Sequence, residues 1–151
     1  MTEPATAPPA PTAVTRNPFA MLVGLIAGAL MIVGAMFLDW LSGFGSKGID
    51  AGADIFWSTE PASDPSFFAS AGFVVLIVAL ITLAGAALAR SGWMVLGGVL
   101  GILAFVLTIV SFYRVEGADL GIGDAGLGLW AILVGGVLAL VAGIAGRRTT
   151  V

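Results

Sequence analysis

The chain of 151 residues is 59% hydrophobic and 10% charged, with a mean hydropathy of +1.10, whereas a soluble domain is roughly 45–50% apolar and about 25% charged. It has no cysteine and no histidine, which excludes disulfides, thiolate nucleophiles, zinc sites built on Cys or His, and imidazole acid–base catalysis. At a formal net charge of −3, the composition is that of an integral membrane protein, expected to be all-α with four transmembrane helices.

In chain order, residues 1–17, "MTEPATAPPAPTAVTRN", are rich in Pro, Ala and Thr and carry too little apolar bulk to pack, so they read as a disordered tail. A four-helix membrane domain is expected over 18–146, with loops at 41–66 and 114–125 and a short tail at 147–151. The first uncharged run, Pro18 to Leu38, lacks the charged start of a secretory signal and is longer than a typical apolar signal region, so it reads as a spanning helix. The second is Phe67 to Ala89, the third Gly92 to Tyr113 and the fourth Gly126 to Gly146. Each has about 20 residues or more, enough at about 1.5 Å per residue for a hydrocarbon core of roughly 30 Å. Asn17, Asp64, Ser91 and Asp124 precede the runs and are the expected helix caps, because their side chains accept from free first-turn N–H groups.

Four of the six basic residues, Arg16, Arg90, Arg147 and Arg148, fall on one side of this topology. Lys47 and Arg114 fall on the other, with eight of the nine acids. Short cytoplasmic loops are enriched in Lys and Arg, so both termini are expected to be cytoplasmic and both Gly/Asp-rich loops external. Those loops echo each other: "GIDAGADIFW" at 48–57 and "GIGDAGLGLW" at 121–130. Two parallel helix-hairpin repeats account for the echo. So does the plain abundance of Gly, Ala and Asp in external loops.

Gly24 and Gly28, Gly97 and Gly101, and Gly135, Ala139 and Gly143 form small-residue stripes at four-residue spacing. In lipid, helix association relies on close backbone approach and dispersion, so these residues read as helix-packing or partner interfaces. Ser70, Thr82, Thr108 and Ser111 are the only serines and threonines within the runs and are expected to bond to a carbonyl one turn back. No ionisable group lies near a midplane, where proton relays and ion-coupled carriers place theirs. Asp39 and Arg114 end the first and third helices, so they either pair across the outer border or stand as separate solvated ends, with Glu116 a competing partner for Arg114. Trp40, Trp57, Trp93 and Trp130 fall near the borders, where amphipathic rings anchor. The loop carboxylates Asp50, Asp54, Asp119 and Asp124 lack the spacing of an EF-hand.

The residues "FLDW" at 37–40, a Gly-rich loop, and "GLGLWAILVGGVLALVAG" at 126–143 resemble a group of small four-helix membrane proteins of actinobacterial type, in which the first helix often ends in Phe-Leu-Pro-Trp; here Asp39 stands in place of that Pro. The resemblance implies a topology and a cell-envelope setting, in a bacterial plasma membrane, and assigns no functional residues.

No catalytic, cofactor-binding or metal-binding residue is expected, and no nucleic-acid partner. An enzyme would have to rely on the external carboxylates, Ser42, Lys47 or Arg114. The expected function is therefore non-catalytic: an accessory, scaffold or assembly subunit of a larger envelope complex, in contact with lipid and with other integral membrane proteins. The alternative is a small channel or transporter formed by oligomerisation around a shared pathway.

Overall fold

The computed structural model describes residues 17–42, 46–59, 65–114 and 119–147. Residues 1–16 of the N-terminal tail, Asp64, Glu116 and Arg148 lie outside these residues. Four α-helices carry the fold: α1 (Pro18–Met36), α2 (Ala71–Ala87), α3 (Ser91–Arg114) and α4 (Leu127–Arg147). Each packs antiparallel on its neighbour in sequence, and α4 returns to α1 to close a ring. The seams with α4 are the most extensive, and that between α2 and α3 is the least.

The interior combines small residues, Ala27, Ala35, Ala79, Ala86, Ala139 and glycine, with larger apolar ones, Met31, Val75, Phe112, Leu129 and Ile132, while Leu22, Ile26, Leu80, Leu96, Val99, Val134 and Val141 stand exposed and form an outer belt. Such a continuous apolar belt has no place on a monomer in water and suits contact with lipid tails. Helices α1, α3 and α4, of 19, 24 and 21 residues, are long and apolar enough to cross a membrane; α2 is equally apolar but shorter, at 17 residues.

The shortening of α2 corrects its expected start at Phe67. Residues Phe67–Ala69 form a separate 3-10 turn, and the chain re-enters a helix only after Ser70. Ser70 donates to the Phe67 carbonyl (2.7 Å) and accepts from the Phe73 N–H (3.1 Å), so it caps α2 rather than lying inside a span. The remaining free N–H groups of the first turn are met from the loop: Ala71 donates to the Ala51 carbonyl (2.8 Å) and Gly72 to that of Gly48 (2.7 Å). A helix end buried without such partners would leave its donors unpaired.

The other expected caps divide. Asn17 caps α1 as read, accepting from Phe19 and Ala20. Ser91 is instead the first residue of α3, and the Arg90 carbonyl takes the position before it, accepting from Trp93 and Met94. Asp124 does not cap α4 either: it lies in a 3-10 turn, Ile122–Asp124, and its carboxylate accepts from the Gly121 N–H (2.8 Å). The first amides of α4 go to the end of α1, Gly126 donating to the Trp40 carbonyl (2.7 Å) and Gly128 to that of Asp39 (2.8 Å).

The tight link between α2 and α3 is a Schellman turn. Ala89 donates to the Ala86 carbonyl and Arg90 to that of Gly85 (2.7 Å), with Ala89 at φ 53°. This position usually holds glycine, because a β-carbon in the left-handed region costs about 1–2 kcal/mol. Ala89→Gly is therefore expected to raise stability by about 1 kcal/mol despite the greater freedom it gives the unfolded chain, as measured by unfolding in mild detergent.

Candidate functional site

The small-residue stripes are all consumed within the molecule. A β-carbon on Gly24 would meet Met94 and Ala86, and one on Gly28 would meet Leu83 of α2. Gly97 lies against Thr82; Gly101 lies against Met31 and Gly136; Gly135 lies against Ala27 and Met31; Gly143 lies against Ser91 and Val95. Ala139 is fully buried. Each stripe thus faces another helix of the same chain.

Three glycines beyond those stripes, Gly34, Gly98 and Gly128, also sit at close backbone crossings. A β-carbon on Gly34 would lie 2.6 Å from the Gly128 carbonyl, and one on Gly128 would lie 2.7 Å from the Gly34 carbonyl. Between α3 and α4, a β-carbon on Gly98 would lie 2.5 Å from the Leu140 amide nitrogen and 2.7 Å from the Gly136 carbonyl. Real β-carbons are not found below about 3.0 Å from such atoms, so these seams require glycine.

The four tryptophans are not equivalent. Trp57 is 70% exposed, Trp93 43% and Trp130 40%, all at helix ends or in the loops. Trp93 takes the Arg90 guanidinium 5.8 Å from its ring centroid, and Trp130 packs on Phe105. Trp40 departs from the expected anchoring role: it is 3% exposed, in the core with Ala35, Leu129 and Ile132, and its Nε1 donates to the Gly34 carbonyl (2.9 Å). The chain folds back over the end of α1 at this point, with Trp40 N–H donating to the Ser46 carbonyl (2.7 Å).

That fold-back joins the two echoing loops. Leu41 bridges to Ala125, and Ser42 donates to the Asp124 carbonyl (2.7 Å), while Gly52 bridges to Ser70. The two Asp-Ala-Gly segments close the same turn. Asp50 Oδ2 accepts from the Lys47 N–H (2.9 Å) and the Asp50 N–H donates to the Lys47 carbonyl (3.0 Å). Asp124 does the same with Gly121 at 2.8 and 3.0 Å. Short acidic side chains suit this role because they bond locally to backbone amides. The first turn braces the start of α2 from a distance in sequence, and the second runs directly into α4, so the echo records shared turn chemistry used in two settings.

Asp39 and Arg114 are both exposed, and among the described residues no ion pair joins them. Nor do three acidic side chains gather as a potential metal site among the described residues. Inside the bundle, Thr82 bonds to the Val78 carbonyl (3.0 Å) and Thr108 to that of Ala104 (2.8 Å), as the one-turn-back rule expects. Ser111 breaks the rule: its hydroxyl is buried and has no hydrogen-bond partner. Ser111→Ala is accordingly expected to be neutral or stabilising by up to about 1–2 kcal/mol, since it removes an unsatisfied buried group; a loss of stability on unfolding in detergent would contradict this.

Three concave surfaces are formed by described residues at the looped end and along one seam. One of about 240 Å³ sits among Phe37, Asp39, Ser42 and Leu127. Another, of about 340 Å³, lies beside Asp54, Trp57 and Ala69. A third, also about 340 Å³, runs between α2 and α3 under Phe56 and Trp57. The class that fold and surface define is a multi-pass helical membrane bundle with a knitted cap at one end. No protein-family model, curated protein or solved structure matches the chain.

Proposed function

We propose that this protein is a non-catalytic accessory, scaffold or assembly subunit of a larger cell-envelope membrane complex, set in a bacterial plasma membrane with α2 as a fourth crossing and both termini cytoplasmic. The observation that supports the reading is the character of the interior. Its helices meet through glycine, alanine and larger apolar side chains, its threonines bond to their own helices, and no ionisable side chain lies among its described buried residues. A single copy of such a bundle offers no polar route for an ion or solute and no set of groups for acid–base or nucleophilic work. Activity then belongs to the outer surfaces. Because the small-residue stripes are used up internally, a partner would meet the exposed leucine and valine belt or the looped cap.

The test is purification at native expression in mild detergent. A membrane protein recovered in constant ratio with this chain is the expected result. Migration of the chain as a homo-oligomer that conducts ions after reconstitution would replace the proposal with the channel reading.

Orientation has its own measurement. Arg90 and Arg147 share one end of the bundle, where Gly92 approaches the Arg147 guanidinium, and Thr59 lies exposed at the other. With the cationic end cytoplasmic, a cysteine at Thr59 should react with an impermeant thiol reagent on intact cells, and one at Arg90 should react only after lysis. The reverse pattern would invert the topology.

A further inference from the structure

We propose that the groove between α2 and α3 is a binding site for one acyl chain of a bilayer phospholipid, roofed by Phe56 and Trp57. The groove has a roof because its two helices differ in length. α3 has 24 residues and α2 has 17, about 36 Å against about 26 Å at the ordinary helical rise. The outer turns of α3 therefore have no α2 beside them. The 3-10 helix Ala53–Phe56 fills that gap, packing on both helices. Below it, where α2 and α3 make the least extensive seam of the ring, Val74 and Val78 face Leu103 and Leu107 across a space of about 340 Å³.

The chemistry of the lining selects the occupant. The walls are aliphatic and the roof aromatic, so nothing in the groove compensates the loss of water from a polar ligand, and a hydrocarbon chain has nothing to lose there. The volume is more than twice the ~150 Å³ of an apolar cavity that takes up benzene, and it falls in the range of ligand pockets, about 300–1,000 Å³. The flanking side chains Ile77, Leu103 and Val106 are exposed and belong to the lipid-facing belt, so a chain can enter sideways from the bilayer. Trp57, 70% exposed at the roof, stands at the level where tryptophan rings meet lipid headgroups. A lipid held there has its head beside the loop and its chain along α3. The proposal depends on membrane embedding alone and stands apart from the accessory-subunit reading.

The experiment uses the full chain reconstituted in phosphatidylcholine vesicles that contain a small fraction of phosphatidylcholine bearing a photoactivatable diazirine in one acyl chain. After illumination, adducts are mapped by peptide mass spectrometry. Adducts on Val74–Val78 and Leu103–Leu107 should exceed those on the outer faces of α1 and α4, around Ile26 and Val134, by about fivefold or more, as expected of a formed pocket against free contact. Leu103→Trp and Leu107→Phe, which put rings into the groove from its rim, should lower groove labelling to the level of those faces without changing the unfolding midpoint. Val134→Trp should leave it unchanged. Even labelling of all four helices would overturn the proposal in favour of an ordinary lipid annulus. Groove labelling indifferent to both rim variants would overturn it too, as would cross-links between copies through this seam, which would make a second chain the occupant.

Discussion

Replacing Gly98 by alanine should destabilise the bundle by about 3 kcal/mol, at the upper end of what overpacking costs, and Gly98→Val should prevent folding. The new β-carbon would lie 2.5 Å from the Leu140 nitrogen and 2.7 Å from the Gly136 carbonyl, so it meets backbone on the opposing helix, which cannot rotate away. Gly34→Ala should behave alike against the Gly128 carbonyl. Gly28→Ala should be milder although its nearest distances, 2.5 and 2.6 Å, are as short, because the atoms it meets there are the branched tip of Leu83. Gly123→Ala, with nothing within 4 Å, should be silent. Unfolding midpoints in mild detergent measure the series. If Gly98→Ala proved no worse than Gly28→Ala, the backbone contact between α3 and α4 would be wrong.

The second large effect is at Trp40. Trp40→Ala should cost about 3–5 kcal/mol, the range for deleting a buried large aromatic side chain. The loss should exceed that of any other tryptophan because three segments converge on this ring. Trp40 Nε1 holds the Gly34 carbonyl, the ring covers Gly48, and its edge lies against Gly128. Its main chain also binds Ser46 and Gly126. Trp40→Phe should restore most of the packing and lose about 1–2 kcal/mol with the missing donor. Trp57→Ala, at a site 70% exposed, should leave the midpoint within about 0.5 kcal/mol of the parent. Equal losses at positions 40 and 57 would place Trp40 at the membrane border after all.

Trp40 also shows how far the sequence could be read. Its depth follows from the end of an uncharged run, and depth alone suggests an interfacial anchor. Its burial comes from the chain turning back over α1, and that return is written in hydrogen bonds to Ser46 and Gly126 that no periodicity announces. The helices themselves were legible, since an uncharged run of 20 residues has few other uses. The start of α2 is harder to read because Ser70 looks like one more small residue in an apolar run; its hydroxyl accepts from Phe73, and the next amides, Ala71 and Gly72, find Ala51 and Gly48, which are distant in sequence.

The glycines divide in the same way. Four-residue spacing finds a stripe such as Gly24 with Gly28, but Gly34 and Gly98 lie where a partner helix crosses, and a crossing point is a property of two helices. Spacing likewise left open which faces turn inward, so stripes readable as partner surfaces prove to be internal seams. The echoing Asp-Ala-Gly runs are visible as letters; their common purpose, a carboxylate closing a turn on the amide three residues earlier, lies in the folded backbone.

The unequal lengths of α2 and α3 have a consequence for the surrounding membrane. With α2 as the proposed fourth crossing, the bundle would set helices of uneven length, about 36 Å for α3 and about 26 Å for α2, beside a hydrocarbon core of roughly 30 Å. Lipids next to α2 would then shorten or the bundle would tilt, at a fraction of a kcal/mol per ångström of mismatch, except where the exposed Phe67 and Phe68 extend the apolar surface past the start of α2. A protein shaped this way would impose a local gradient of bilayer thickness, lowest at the α2 edge, and neighbours with short hydrophobic spans would gather along that edge without any specific contact.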